Sequence, residues 1–168
     1  LAKSHIFKRH NSAWLASGKK ILVPFDGEAP SEKALRYAID FAKGLDKEVI
    51  LLKVMPPILD NSHLSRLRTP ERQKTATKVG EEFKKIINHE QQLLSKKIQE
   101  IKKNGIVASW KVVKGDPAEK IIEMAHKVEP YMVVMGGRRL EGLDSLKKLG
   151  SVTRKVAENV NCGVFMVR

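Results

Sequence analysis

Residues 20–54 read KILVPFDGEAPSEKALRYAIDFAKGLDKEVILLKV, and this stretch decides the fold. Lys20-Ile21-Leu22-Val23-Pro24-Phe25 is a short apolar run that the turn signal Asp26-Gly27 ends. A helix is predicted from about Ser31 to Lys43, with Leu35, Ala38, Ile39 and Ala42 at helical spacing on one face. Gly44, just past the last apolar position, is its expected stop. Val49-Ile50-Leu51-Leu52-Lys53-Val54 is a second apolar run, closed by Pro56-Pro57. Both runs are near-continuous rather than alternating. Such strands belong to a parallel sheet covered on both faces by crossover helices.

The same alternation continues toward the C-terminus. Ile58 to Pro70 reads as an irregular loop. A long helix then spans about Glu71 to Lys103, its Val79, Phe83, Ile86, Leu93, Leu94 and Ile101 recurring at threes, fours and sevens. Asn104-Gly105 ends it. Ile106 to Val113 is a third strand, and its partial alternation predicts a place near a sheet edge. Gly115-Asp116-Pro117-Ala118-Glu119 starts the next helix: Asp116 caps, Pro117 suits the first helical position, and Glu119 completes a capping box. That helix turns Ile121, Ile122, Ala125 and Val128 inward and stops before Pro130. Tyr131 to Met135 is a fourth strand, Gly136 to Gly150 a loop, Ser151 to Asn159 a last helix and Val164 to Val167 a fifth strand. The sum is one α/β domain over residues 19–168, with no visible internal repeat.

Residues 1–18 stand apart as a basic N-terminal extension or linker, with Lys3, Lys8 and Arg9 among the scattered apolar side chains Ile6, Phe7 and Trp14. Three readings compete: an expression remnant, a flexible arm, or a link from a preceding domain. In the third, basic residues beside a membrane segment would be drawn to anionic lipid. A chain of 168 residues suits a single domain, and a hydrophobic fraction of 42% supplies a core. Thirty-two Lys and Arg against 19 Asp and Glu leave +13, which favours anionic partners and equally serves as a solubilising coat. Aromatics make up only 5%, and none interleaves with Arg and Lys as on a single-strand binding surface, so no specific nucleic-acid partner is expected. Cys162 is the sole cysteine. An internal disulfide is therefore excluded, and a reduced, cytoplasmic location is expected. No apolar run approaches a membrane span, and no signal-peptide core is visible.

In an open parallel sheet, ligands bind beyond the carboxyl ends of the strands, where the strand order reverses. Asp26, Val54 and Gly136-Gly137 fall at such ends. Gly150-Ser151 opens a helix whose free N–H groups and positive dipole end suit a phosphate. Together they predict a nucleotide crevice, with the base near strands one and two and the phosphates against the last helix.

Five stretches, in order, carry a resemblance: Lys20 to Gly27, Gly115 to Ile121, Val133-Val134-Met135-Gly136, Leu149-Gly150-Ser151-Val152 and Cys162 to Val167. The chain resembles the universal stress protein family from Lys19 to Arg168. The resemblance implies a doubly wound, Rossmann-like sheet of five parallel strands in the order 3-2-1-4-5, with helices on both faces and a crevice between strands one and four. It implies an ATP or AMP ligand, with or without Mg2+. Pro24 and Asp26 would lie beside the adenosine, and Val54 would offer backbone groups to the base. Met135, Gly136 and Gly137 would line the strand-four side, and Gly150, Ser151 and Val152 would meet the phosphates. It also implies a homodimer through the last strand, Val164 to Val167.

ATP-binding members space their phosphate loop as Gly, two residues, Gly, nine residues, Gly, then Ser or Thr. Counted from Gly136, the second glycine position is Arg139 and Gly150 comes one residue late. Counted from Gly137, Gly150 is in register but the second position is Leu140. A glycine there would let the backbone approach the phosphates, whereas Arg138 or Arg139 would reach them through a side chain or remain a solvated loop charge. Asp26 has the alternative of an Asx turn before Gly27 or of a cap on the first helix, and Ser151 that of an ordinary N-cap.

No Walker loop, histidine pair at metal spacing or Ser–His–acid set is present, so neither a metal site nor a catalytic residue is expected. Any ATP hydrolysis should be slow. The leading expectation is a nucleotide-responsive regulatory stress module acting on a protein partner. Alternatives are an interaction domain without nucleotide, an enzyme of adenylyl-transferring or sulfur chemistry, and the cytoplasmic regulatory domain of a larger membrane transporter.

Overall fold

The computed structural model describes residues 18–56, 70–137 and 150–167. Nine elements alternate along them. These are β1 (Lys20–Pro24), α1 (Ala29–Leu45), β2 (Glu48–Met55), α2 (Pro70–Lys103), β3 (Ala108–Lys114), α3 (Pro117–Val128), β4 (Met132–Gly136), α4 (Ser151–Asn159) and β5 (Gly163–Val167). The strands form a parallel five-stranded sheet in the order β3-β2-β1-β4-β5, as the resemblance implied. The stretches expected as an N-terminal extension and as the loops around residues 58 and 140 fall mostly outside the described residues.

Consecutive apolar residues on the central strands supply two cores, because a strand's side chains alternate between faces. Ile21, Val23, Val49, Leu51 and Val134 face α1 and α2, meeting Leu35, Ala38, Leu94 and Ile98. Leu22, Ile50, Leu52, Val133 and Met135 face α3 and α4, meeting Ile121, Met124, Ala125 and Val156. Each fully buried Val, Ile or Leu contributes roughly 1.5–3 kcal/mol, so the sheet is fastened from both layers.

Two expectations need correction. Gly44 does not stop the first helix. The helix runs through it to Leu45, and Asp46 takes the left-handed turn at φ 52°, its N–H donating to the Ala42 carbonyl. Aspartate is among the few non-glycine residues that visit this conformation, so the helix can end there. In α2, Ile86 and Leu93 are exposed, at 49% and 47% of their surface. A helix of 34 residues is about 51 Å long, whereas β2, the longest strand here, has 8 residues and spans about 26 Å. The helix overshoots the sheet; among its described side chains the buried apolar ones are the C-terminal Leu94, Ile98 and Ile101, while the expected Val79 and Phe83 side chains lie outside the described residues. Among the described residues, no helix is long and apolar enough to cross a membrane.

Candidate functional site

The chain leaves β1 toward β2 on one side and later returns to β4 on the other, so the strand order reverses at β1. A cleft of about 540 Å3 opens beyond the carboxyl ends there. Pro24, Asp26 and Val54 line one side, and Met135 and Gly136 line another. Gly150, Ser151 and Val152 close it from the start of α4. Val54 is reachable because β2 outruns β1, whose pairing ends at Pro24 opposite Leu52. Gly137 is not among the lining residues. Its N–H donates to the Val167 carbonyl at 2.8 Å and extends the β4–β5 ladder. Arg138, Arg139 and Leu140 lie outside the described residues.

Three helices, α1, α3 and α4, begin at this cleft, and α3 and α4 differ in their caps. On α3, Asp116 accepts the Glu119 N–H at 3.0 Å, which satisfies a first-turn donor, and Pro117 fills the first position. The Glu119 carboxylate meets Lys155 of α4 at 3.3 Å. On α4, the N-cap is Gly150, which makes no side-chain cap bond. Its backbone needs no special dihedral, with φ −54°, and a Cβ there would meet only the Thr153 hydroxyl at 4.0 Å. Among the described residues no side chain caps the start of α4, which lines the cleft. An uncapped helix start of this kind favours an anion.

The walls add chemistry that the sequence reading passed over. Thr153 is 4% exposed, lines the cleft and stands two residues beyond Ser151. The run Gly150-Ser151-Val152-Thr153 places both hydroxyls on the first turn of α4, and that spacing was the available signal. Ser31, buried at the start of α1, accepts the Gly27 N–H at 3.1 Å and donates to the Glu28 carbonyl at 2.9 Å. Asp26 does form the Asx turn, its Oδ1 accepting the Glu28 N–H at 2.9 Å, while still facing the cleft. Partial burial pushes the Asp26 carboxyl up. The Ser31 hydroxyl, the backbone N–H groups of Glu28 and Asp26 itself, and the Lys53 charge outweigh it, so its pKa lies below the ordinary value of 3.8. Gly136 is required for a reason other than ligand approach: a Cβ there would sit 2.5 Å from the Pro30 carbonyl carbon.

Away from the cleft, Cys162 is half-buried before β5, and burial pushes its thiol above the ordinary range although a backbone hydrogen bond at Val133 offsets part of this. His126 of α3 bonds the Asn159 carbonyl at 2.9 Å. Among the described residues, no group of three or more His, Cys, Asp or Glu is placed to hold a metal ion.

The family model for the universal stress protein family matches residues 18–168. The chain belongs to the universal stress protein family. It is 31% identical to universal stress protein MJ0531 of Methanocaldococcus jannaschii, over 89% of this chain and 82% of that protein. With universal stress protein YxiE of Bacillus subtilis it shares 30% identity, over 89% of this chain and 98% of the other. Among solved structures it resembles universal stress protein UspA from Lactobacillus plantarum, at 19% identity and a TM-score of 0.64, covering 89% of this chain and 97% of that one. A universal stress protein from Archaeoglobus fulgidus, solved in complex with dAMP, matches at 20% identity and a TM-score of 0.57, over 89% and 97%. An Arabidopsis thaliana family member with AMP bound matches at 19% and 0.55, over 89% and 90%. At these identities the structural likeness establishes the fold.

Proposed function

We propose that this family member binds an adenine nucleotide, AMP or ATP, in the cleft at the β1–β4 switch point and acts as a nucleotide-responsive regulatory module. One observation carries the reading: the uncapped start of α4, with Ser151 and Thr153, faces the same cleft as the apolar walls beside Pro24 and Val54. The apolar side receives the base, Asp26 stands beside the ribose, and the α4 donors hold the phosphate. A cleft of about 540 Å3 has room for such a ligand. That two structural neighbours were solved with dAMP and AMP supports the choice of ligand class. Mg2+ enters only as the companion of ATP's own phosphates. No residue is assigned a catalytic step.

The second part of the reading concerns assembly. β5 is a sheet edge with partly exposed Phe165 and Met166 and no charged residue from Gly163 to Val167. A second copy pairs along this edge.

Calorimetric titration with AMP, ATP with and without Mg2+, cyclic AMP and adenosine tests the ligand. A dissociation constant at or below about 1 mM, near −4 kcal/mol, is expected for at least AMP or ATP. Absence of binding by every one of them at millimolar ligand refutes the nucleotide reading and leaves the fold as an interaction domain.

A further inference from the structure

Along β2, Leu52 and Val54 face the cleft, and Lys53 between them belongs to the opposite layer, against α2. Its ammonium nevertheless reaches the cleft's rim. Lys53 Nζ donates to the Asp26 carbonyl at 2.7 Å and lies 3.2 Å from Glu90 Oε2 of α2. Only 14% of the Lys53 side chain and 24% of the Glu90 side chain are exposed, so solvent screens this pair less than a surface pair. A more exposed tie runs alongside: Lys97 of α2 sits 2.9 Å from Glu32, next to Ser31.

The rim needs such a tie. The Phe25 N–H to the Leu52 carbonyl, at 2.9 Å, bonds β1 to β2 just past their paired registers. Beyond it come the local bonds of the turn, Glu28 to Asp26 and Gly27 to Ser31, around a glycine at φ +90° with open space about it. Further on, Pro30 is seated against Gly136 and Ser31 is buried, but these two bonds at Gly27 and Glu28 are local and do not themselves tie the turn to the sheet. The Lys53 ammonium, itself held by Glu90, does anchor it. A charge-assisted bond is roughly twice as strong as a neutral one, which suits it to that task.

We propose that Lys53, oriented by Glu90, is a positioning residue for the cleft: it fixes the Asp26–Ser31 rim and makes nucleotide affinity depend on α2, an element outside the site. The inference rests on the nucleotide reading for its ligand but not for its geometry. Coupling of this kind is reciprocal, so a nucleotide that orders the rim also steadies α2.

The test combines amide hydrogen exchange on the ligand-free full chain with AMP titration, for wild type, Lys53→Met, Glu90→Gln, Lys53→Arg and the Lys53→Met/Glu90→Gln double variant. In Lys53→Met, peptides over residues 26–32 should exchange about tenfold faster, with those of β1, β2 and β4 unchanged. The AMP dissociation constant should rise by about tenfold, the scale of one lost charge-assisted bond. Glu90→Gln should shift both readings the same way by less, and Lys53→Arg should restore both. The double variant should bind no more weakly than Lys53→Met alone, because the pair acts as a unit. AMP should protect residues 84–97 in wild type and not in Lys53→Met. Unchanged exchange at 26–32, or unchanged AMP affinity beside a binding wild type, overturns the proposal. If Lys53→Met fails to fold, Glu90→Gln decides by the same readings. A wild type that ignores AMP sinks the nucleotide reading instead, and the exchange of 26–32 alone then decides whether Lys53 holds the rim.

Discussion

At Asp26 the carboxylate is engaged before any ligand arrives, with Oδ1 on the Glu28 N–H and the Lys53 charge nearby. The Asx turn expected from sequence is formed, and the residue also lines the cleft, since the two do not exclude each other. Because its folded pKa lies below the ordinary 3.8, the ionised form is favoured by folding. Its stabilisation is therefore complete above about pH 4 to 5 and is lost as pH falls through the lowered folded value. Urea midpoints from neutral to acid pH should show wild type more stable than Asp26→Asn at neutral pH, with the gap closing below that range. Gly136 gives a sharper steric case. An alanine there meets Pro30 backbone at 2.5 and 2.6 Å, which a side-chain rotation cannot relieve, so Gly136→Ala should cost about 1–3 kcal/mol in denaturant unfolding. At the other end of the cleft, Thr153→Val removes a hydroxyl while keeping the volume. It should weaken AMP by about 1 kcal/mol and leave adenosine untouched, as calorimetry would show. Thr153 escaped the sequence reading because the Gly-Ser pair alone marks a helix start, and only the fold shows that the next hydroxyl is buried toward the same space.

Helix boundaries show where local chemistry is legible and where it is not. Asp116 and Pro117 could be read directly, because capping depends on neighbours within one turn. The end of α1 could not, since Gly44 and Asp46 compete for the left-handed position and a shift of two residues is decided by packing. The face of α2 was misread for a different reason. Periodicity records which residues could be buried, and it carries no information about how far a helix extends past its sheet. At the end of α3, Glu129 adopts φ 42° although it lacks the short side chain that makes this conformation easy for aspartate. Glycine takes that position without the Cβ penalty. Glu129→Gly should therefore raise stability by about 0.5–1 kcal/mol, seen as a higher urea midpoint at unchanged m-value.

For the whole molecule, the alternation of strands and helices was legible from residues alone, whereas the order β3-β2-β1-β4-β5 came from the family resemblance. Apolar runs say that a strand is covered on both faces and do not say which neighbour it pairs with. The two edges of the finished sheet differ in a way that bears on assembly. β3 carries Lys111 and Lys114, the kind of charge that discourages pairing at an open edge. β5 carries none, and its Phe165 packs edge-on against Phe41 of α1 at 4.9 Å while remaining partly exposed. A two-fold pairing along β5 would satisfy its open backbone groups in both copies at once. Sedimentation velocity should therefore find twice the 18.9 kDa chain mass for wild type. Met166 is the residue to change: it is 37% exposed, does not line the cleft, and leaves the Phe165–Phe41 contact alone. Met166→Lys copies the β3 device onto β5 and should return the mass of a single chain, whereas Lys111→Glu at the other edge should leave the dimer intact. A wild type that sediments as one chain, or a Met166→Lys variant that stays paired, would remove β5 as the interface.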